Sequence, residues 1–197
     1  MISDEQKAWD EFRYGSETAL KFIFDSYYTL LFNYGHKFTP DDHVIEDVIQ
    51  DLFVKLWVDR DKINATAAVK NYIYKAFRRR LIRKLDYAPL IMAFPATEEK
   101  IHFDIEPGHD HRMISAERAK KIQHNLAIAL EKMTSRQREV IHLRYFEEME
   151  FDDIAEVMQL STKDTYKLLY RAIDTLKKHL PRFDYLVILY LLDLQRK

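Results

Sequence analysis

The apolar residues between Ser161 and Leu180 recur with the period of an α-helix, and this spacing constrains the fold more than any other feature of the chain. They fall at i, i+3, i+4 and i+7 and would form one buried stripe, made of Thr165, Leu168, Leu169, Ala172, Ile173 and Leu176. Ser161 can cap this helix, because Asp164 stands three residues later at the spacing of a capping box. A shorter amphipathic segment precedes it and ends at Gln159-Leu160, which would form a turn. The pattern predicts a helix-turn-helix.

The opposite side of the second predicted helix is polar, aromatic and cationic. Its candidate DNA-contacting residues are Ser161, Thr162, Lys163, Tyr166, Lys167, Tyr170 and Arg171. Such a helix suits the major groove, since its N-terminal residues can reach base edges while its cations approach phosphates. Successive amphipathic helices are also common in plain helical cores, and residues 117–180 hold 12 Lys and Arg against 11 Asp and Glu. This segment alone does not decide between the two interpretations.

Composition indicates an ordered all-α protein of one or two domains. The 197 residues include only 3 Gly and 5 Pro, and no Asn-Gly or Asp-Gly hairpin turn lies between alternating apolar residues. The absence of Cys excludes disulfides and thiolate-ligated zinc and fits a reducing compartment. The N-terminal residues are polar and acidic, unlike a signal peptide, and no apolar run approaches the roughly 20 residues of a membrane span. We therefore expect a cytoplasmic protein without a membrane span.

An acidic helix is predicted over residues 40–59. Thr39-Pro40 supplies a capping hydroxyl and a proline at the first helical position. The apolar stripe is Ile45, Val48, Ile49, Leu52 and Leu56, widened by Phe53 and Trp57. The exposed side carries Gln50 with five acids, namely Asp41, Asp42, Glu46, Asp47 and Asp51. A solvated acidic face is the plain interpretation, and docking on a basic partner protein is the functional one.

A basic helix is predicted next, with its start at Asn64-Ala65-Thr66. Between Val69 and Leu85 there are seven cations and no acid, and tyrosines alternate with them. Like charges at i, i+4 repel one another, so a polyanionic partner explains this helix better than a solvated face does. Cations beside aromatic rings are typical of single-stranded nucleic-acid binding, in which the rings stack on unpaired bases.

The chain between these regions changes character. Residues 88–115 hold three of the five prolines and no sustained period, so we predict a flexible linker between a domain at 1–87 and a domain at 116–182. His102, His109 and His111 lie in this linker without the fixed spacing of a metal site, and neither a metal nor another cofactor is expected. The apolar tail, residues 183–197, would either pack on the second domain or bind a protein partner.

Three stretches in this order resemble bacterial sigma factors. Residues 47–57 read D-V-I-Q-D-L-F-V-K-L-W and are similar to the polymerase-binding segment of that family, in which D-x-x-Q-[DE]-x-F-x-x-x-W recurs. Residues 71–80, N-Y-I-Y-K-A-F-R-R-R, resemble the promoter-melting region. Residues 135–148, S-R-Q-R-E-V-I-H-L-R-Y-F-E-E, together with 152–156 and 170–172, resemble the C-terminal helix-turn-helix domain. Two domains with a short linker are typical of the extracytoplasmic-function (ECF) group.

The resemblance implies a fold and a role for each surface. The fold would be a region 2-like helical bundle followed by a region 4-like helix-turn-helix domain, with the linker in the RNA-exit path of the polymerase. The residues implied to engage the clamp coiled coil of core RNA polymerase are Asp47, Gln50, Asp51, Phe53 and Trp57. Those implied to hold the −10 element and the melted strand are Lys70, Asn71, Tyr72, Tyr74, Lys75, Arg78, Arg79, Arg80, Arg83 and Lys84. Residues 161–171 would enter the major groove at the −35 element of promoter DNA.

The sequence departs from its relatives at several positions, and it leaves some partners open. Gln159 stands where many relatives have Gly, and Glu150 where a small or hydroxyl N-cap is common. Many relatives are held inactive by an anti-sigma factor that clamps both domains, and the sequence leaves open whether this chain has one. The main alternative is a stand-alone helix-turn-helix regulator that binds duplex DNA as a dimer, which would leave the acidic helix without a role. The sequence has no pair of carboxylates with a His at fixed spacing, no Gly-rich phosphate loop and no nucleophile elbow. No feature of it therefore indicates an enzyme.

Overall fold

The computed structural model describes residues 3–85, Phe103 and residues 116–181, with side chains described from residue 124 onward in the last stretch. The chain divides into two compact units, Met1–Phe94 and Pro95–Lys197. Every regular element within the described residues is helical, which confirms the prediction of an all-α fold. The predicted linker other than Phe103, its histidines and the apolar tail lie outside the described residues.

Between residues 3 and 85, the described part of the first unit, there are four α-helices and one short 3-10 turn. They are α1 (Asp4–Arg13), α2 (Glu17–Gly35), α3 (Asp42–Asp59), the 3-10 turn Arg60–Lys62 and α4 (Val69–Leu85). Ser3 and Gln6 form a capping box that starts α1. Between α1 and α2, Gly15 has a φ of 93°, a conformation that glycine adopts without a Cβ penalty, and the Ser16 hydroxyl caps α2. Gly15 and Ser16 therefore separate the first two helices.

Two helices of this unit begin later than predicted. Helix α3 begins at Asp42, because the Asp41 carboxylate, not the Thr39 hydroxyl, accepts a hydrogen bond from a backbone N–H of the first turn, that of Val44. The Thr39 hydroxyl instead accepts from the backbone N–H of Asp41 and closes a small turn before the helix. Helix α4 begins at Val69, so the residues from 63 to 68 form an irregular connection.

The core of the first unit is rich in aromatic rings and admits close helix contacts. Trp9, Tyr34, Tyr74 and Phe77 are among its largest fully buried side chains. The α2–α3 contact is so close at Gly35 that a Cβ there would lie 2.7 Å from Ile45 Cγ2. Only a residue without a side chain fits at this point without moving its neighbour.

The second unit contains the predicted helix-turn-helix. Its helices are α5 (Ala116–Glu131), α6 (Ser135–Ile141), α7 (Phe151–Met158) and α8 (Thr162–His179), with a π-helical turn at His142–Phe146 between α6 and α7. Thr134 and Gln137 form a capping box that starts α6. After Ile141 the backbone widens from the α-helix into the π turn. Among the described helices of both units, none has the length and apolar character needed to cross a membrane.

Candidate polymerase-binding and nucleic-acid interfaces

Helix α3 separates apolar from polar side chains as its period predicts. Ile45, Val48, Ile49, Leu52 and Leu56 are all buried. Asp47, Gln50 and Asp51 are exposed on the other side and present two carboxylates and an amide to solvent. The structure therefore leaves this part of the helix accessible to a partner protein.

The two aromatic residues implied to bind polymerase differ in their burial. Phe53 is only 5% exposed, and its ring meets the Phe24 ring of α2 edge-on at 4.9 Å between centroids. In this structure the Phe53 ring therefore packs inside the unit against α2 and offers a partner little surface. Trp57 is half-buried, and the guanidinium of Arg60 lies 4.5 Å from its ring centroid. An aromatic face held by a cation in this way is fixed in orientation and still partly accessible.

Sequence reasoning missed two exposed valines on the same helix. Val54 and Val58 are 64% and 60% exposed, although valine side chains usually lie inside a domain. They follow Asp47, Gln50 and Asp51 at helical spacing, so they continue the polar stripe toward the C-terminal end of α3. We call these five residues the α3 stripe. The signal available in the sequence was that Val54 and Val58 fall outside the period of the buried positions.

Helix α4 places its cations unevenly. Arg79, Arg83 and Lys84 are exposed, and Lys70, Lys75 and Arg80 are half-buried. The three exposed cations lie in the second half of the helix, where positive charge also suits the helix dipole. This end of α4 can therefore accept a polyanion without rearrangement of the unit.

Three of the residues implied to contact the melted strand lie inside the unit. Tyr74 is fully buried with its ring centroid 5.2 Å from that of Tyr34, and Asn71 and Arg78 are each 6% exposed. A base cannot stack on a ring that has no accessible face. In this structure Asn71, Tyr74 and Arg78 therefore offer almost no surface to a nucleic acid and contribute to the interior of the unit.

Tyr72 and Arg80 occupy an intermediate position at the edge of the core. The Tyr72 ring meets the Trp9 ring edge-on at 5.2 Å, and burial raises the pKa of its phenol. Burial also lowers the pKa of Arg80, mainly because a charged guanidinium loses hydration there. Arg80 stays a cation, since arginine is protonated throughout the physiological range. Its Nη1 donates to the backbone carbonyl of Ala76 at 3.2 Å, which directs the charge along the helix.

One ion pair connects the two candidate surfaces of the first unit. Lys84 Nζ of α4 lies 3.0 Å from Asp47 Oδ2 of α3, and both side chains are more than a third exposed. An exposed pair of this kind contributes at most about 1 kcal/mol, so either group can exchange its partner. The acidic and basic surfaces therefore adjoin at this point of the unit.

The second unit presents the face of α8 that the sequence predicts. Ser161, Lys163, Tyr166, Lys167, Tyr170 and Arg171 are exposed, and Thr162 is half-buried. Thr165, Leu169, Ala172 and Leu176 are buried on the opposite side. The Ser161 hydroxyl accepts a hydrogen bond from the backbone N–H of Asp164 at 3.1 Å and donates one to the Asp164 carboxylate. In a full capping box the carboxylate would instead accept from the backbone N–H of Ser161. The hydrogen bond to Ser161 is the main cause of the lowered pKa of Asp164.

The turn before α8 has the geometry that its sequence makes costly. Gln159 has φ 56° and ψ 48°, the left-handed region in which a Cβ meets a steric penalty.

Glu150, the poor N-cap at the start of α7, is stabilised by two other interactions. Its carboxylate pairs with Arg144 at 3.1 Å, and its backbone N–H donates to the Asp153 carboxylate at 3.3 Å.

Matches of two regions of the chain to known families identify the family of this protein. Residues 23–88 match the family described as Sigma-70 region 2, and residues 124–176 match Sigma-70, region 4. Together these matches span more than half of the chain. The chain belongs to the sigma-70 family. Its two matched regions are those expected for an ECF sigma factor, and that identification from the sequence is confirmed.

Comparison with individual proteins gives the same result. The sigma factor is 25% identical over 158 residues to RNA polymerase sigma factor SigV of Bacillus subtilis (strain 168), which covers 80% of this chain and 86% of SigV. Its fold matches that of CnrH, solved in complex with the cytosolic domain of CnrY, with a TM-score of 0.61 and 18% identity. This match covers 89% of this chain and 96% of the CnrH chain. The protein is a sigma factor that directs core RNA polymerase to promoter DNA and initiates transcription.

Proposed function

We propose that the three surfaces divide the work of initiation: the α3 stripe binds core RNA polymerase, the exposed cations of α4 hold the melted promoter strand, and α8 reads the −35 element. The observation that carries this proposal is the placement of an accessible acidic stripe beside an accessible basic helix end in one unit. A stand-alone duplex-binding regulator would give no role to the first of these two surfaces.

Three features of the α3 stripe suit a protein partner. Carboxylates at Asp47 and Asp51 would steer a basic surface toward the helix, while Val54 and Val58 would supply the apolar area that a stable contact needs. Phe53 fixes the position of the stripe by its contact with α2. Trp57 offers part of its ring at the same end of the helix as the two valines.

Within α4 the proposal relies on Arg79, Arg83 and Lys84, whose exposed charges can follow a phosphate backbone. Lys75 and Arg80 would add charge from half-buried positions, and Tyr72 and Lys70 lie where the strand would approach the first half of the helix. This proposal is narrower than the interpretation made from the sequence, because it leaves out Asn71, Tyr74 and Arg78, whose side chains are buried.

Three further parts of the proposal follow from the role of a sigma factor: the type of activity, the location and the regulator. The chain contributes binding and strand separation and has no enzymatic activity of its own. It acts in the cytoplasm, where its polymerase and promoters are. An anti-sigma factor is a candidate regulator, and the solved relative CnrH was captured with the cytosolic domain of another protein.

The proposal is tested by charge reversal on α3. Asp51→Arg should abolish co-purification with core RNA polymerase, because it places a cation against a basic partner surface. Glu11→Arg on α1 is the matched control, an exposed acid outside the stripe, and should leave binding unchanged. Retention of core binding by Asp51→Arg, with the fold intact by circular dichroism, would refute the assignment of the α3 stripe.

The basic surface is tested separately on the assembled holoenzyme. Arg79→Ala with Arg83→Ala should reduce open-complex formation at permanganate-reactive thymines while core binding remains. Lys21→Ala, an exposed cation on α2, serves as the control. Normal open complexes in the double variant would show that the strand lies elsewhere.

A further inference from the structure

Tyr166 occupies the N-terminal half of α8, the part of a recognition helix that approaches base edges. Its side chain is 53% exposed. One face of its ring is covered by Phe151 of α7, with ring centroids 3.7 Å apart and planes inclined by 20°. More than half of the residue remains exposed, so Tyr166 presents an aromatic surface that Phe151 holds in place.

The Phe151 ring, which supports Tyr166, is itself in contact with a buried cation. The guanidinium of Arg144 lies 4.9 Å from the Phe151 centroid. Arg144 is buried, donates to the backbone carbonyl of Met149 at 2.6 Å and pairs with Glu150 at 3.1 Å. Arg144 and Tyr166 thus both contact the Phe151 ring, and this chain of contacts begins at a hydrogen-bonded cation. A side chain ordered in this way loses little conformational freedom on binding.

The polar groups around Tyr166 are engaged within the second unit. The Thr162 hydroxyl, one turn before Tyr166, donates to the Asp152 carboxylate at 2.7 Å. Lys167 Nζ lies 3.4 Å from the Asp164 carboxylate, which also accepts from the Ser161 hydroxyl. Since the proton of the Thr162 hydroxyl is used inside the unit, this side chain can offer a base only its methyl group and a hydroxyl oxygen that accepts.

We propose that Tyr166 determines sequence specificity at the −35 element by contact with the 5-methyl group of a thymine, with the Thr162 methyl beside it. In the major groove only thymine among the four bases carries a methyl group, and apolar side chains recognise it. This inference rests on the proposed role of α8 in −35 binding and adds the chemical group that is read. Phe151 and Arg144 are positioning residues, because they act through the orientation of the Tyr166 ring.

The test removes one methyl group at a time from the DNA. Duplex promoters are first selected with holoenzyme from a pool with a randomised −35 element, and each −35 thymine is then replaced by deoxyuridine, which pairs identically. At one position the replacement should weaken wild-type holoenzyme binding about fourfold, the effect of burying one methyl group. Tyr166→Ala should bind thymine and deoxyuridine promoters equally. Tyr166→Phe, which keeps the ring, should retain the difference.

Two controls separate this contact from general effects. Phe146→Ala removes an aromatic residue of the same unit that is 41% exposed and lies outside α8, and it should preserve the methyl effect. Phe151→Leu should reduce the methyl effect, with far-UV circular dichroism unchanged, because the Tyr166 ring loses its support. Deoxyuridine in the spacer between the −35 and −10 elements should have no effect on any variant.

The inference is overturned if the selected −35 element contains no thymine, or if wild type and Tyr166→Ala lose the same factor with deoxyuridine. Either result would leave the proposed function standing, provided that the holoenzyme still transcribes its selected promoters specifically. Loss of promoter-specific transcription by the wild-type holoenzyme would instead refute the role of α8 itself.

Discussion

Gln159 is a site at which one substitution should stabilise the sigma factor. The residue ends α7 with φ 56° and ψ 48°, and its side chain is exposed. A left-handed backbone costs an L-residue with a Cβ about 1–2 kcal/mol, and glycine avoids this cost. Glycine returns about 0.4–1 kcal/mol through the greater freedom of the unfolded chain. From the midpoints of these two ranges, the net gain expected for Gln159→Gly is about 0.8 kcal/mol.

The hydrogen bonds at this helix end do not oppose the gain. The backbone N–H of Gln159 donates to the carbonyls of Ala155 and Glu156, and the substitution leaves both bonds in place. For a domain of this size the expected gain corresponds to a rise in melting temperature of about 3–6 °C. Gln159→Ala is the matched control, because it removes the long side chain but keeps the Cβ, and it should give no comparable rise.

The assay can assign the change to one unit of the chain. The chain has two tryptophans, Trp9 and Trp57, and both lie in the first unit, so their fluorescence follows that unit. Far-UV circular dichroism follows helices of both units. Gln159→Gly should move the second unit's contribution to the circular dichroism transition and leave the fluorescence midpoint unchanged. Equal stability of the Gly and Gln proteins would refute the claim that this turn is strained.

Three further outcomes follow from contacts in the first unit. Gly35→Ala should destabilise the unit by about 1–2 kcal/mol in urea unfolding, because its Cβ would lie 2.7 Å from Ile45 Cγ2. The penalty should shrink in an Ile45→Ala background, in which the Phe77 ring, 3.2 Å from the added Cβ, still opposes it. A double-mutant cycle on Asp47 and Lys84 should give a coupling below about 1 kcal/mol that vanishes at 1 M salt, whereas a coupling that persists in salt would contradict an exposed pair. Burial raises the pKa of Glu5, so ionisation of Glu5 opposes folding. Glu5→Gln should therefore stabilise the chain at pH 7. The difference in unfolding free energy from wild type, measured at several pH values, should shrink as the pH falls toward 4.5.

Helical periodicity predicted the features of this chain that depend on one face of one helix. The buried positions of α3 and of α8 follow the 3.6-residue period, since each helix buries mainly one stripe. The Ser161 cap and the costly turn at Gln159 were also readable, because both depend on local backbone chemistry. The sigma-factor resemblance rested on motifs in these same helices.

The burial of α4 could not be read in the same way. This helix contacts α1, α2 and α3, so positions beside its apolar stripe are covered as well. Asn71, Tyr74 and Arg78 look polar enough for a surface, and only the neighbouring helices show that they are inside. The start of α3 was missed for a different reason, because Thr39 and Asp41 are both good caps and the choice between them depends on the turn that precedes the helix.

Two adjacent arginines on α4 allow a role in folding stability to be tested separately from a role in DNA binding. Arg78 is 6% exposed and Arg79 is exposed, although the two are chemically identical. Arg78→Ala removes a buried charged group with its interactions and should cost about 2–4 kcal/mol of folding stability, with open-complex formation lost only as the fold is lost. Arg79→Ala should change stability by less than about 0.5 kcal/mol and should weaken open complexes with a reduced salt dependence, because one phosphate contact is gone. If Arg78→Ala instead folded normally and failed only in strand opening, the side chain would have to leave the core to meet DNA, and the division of α4 into buried and strand-facing residues would be wrong.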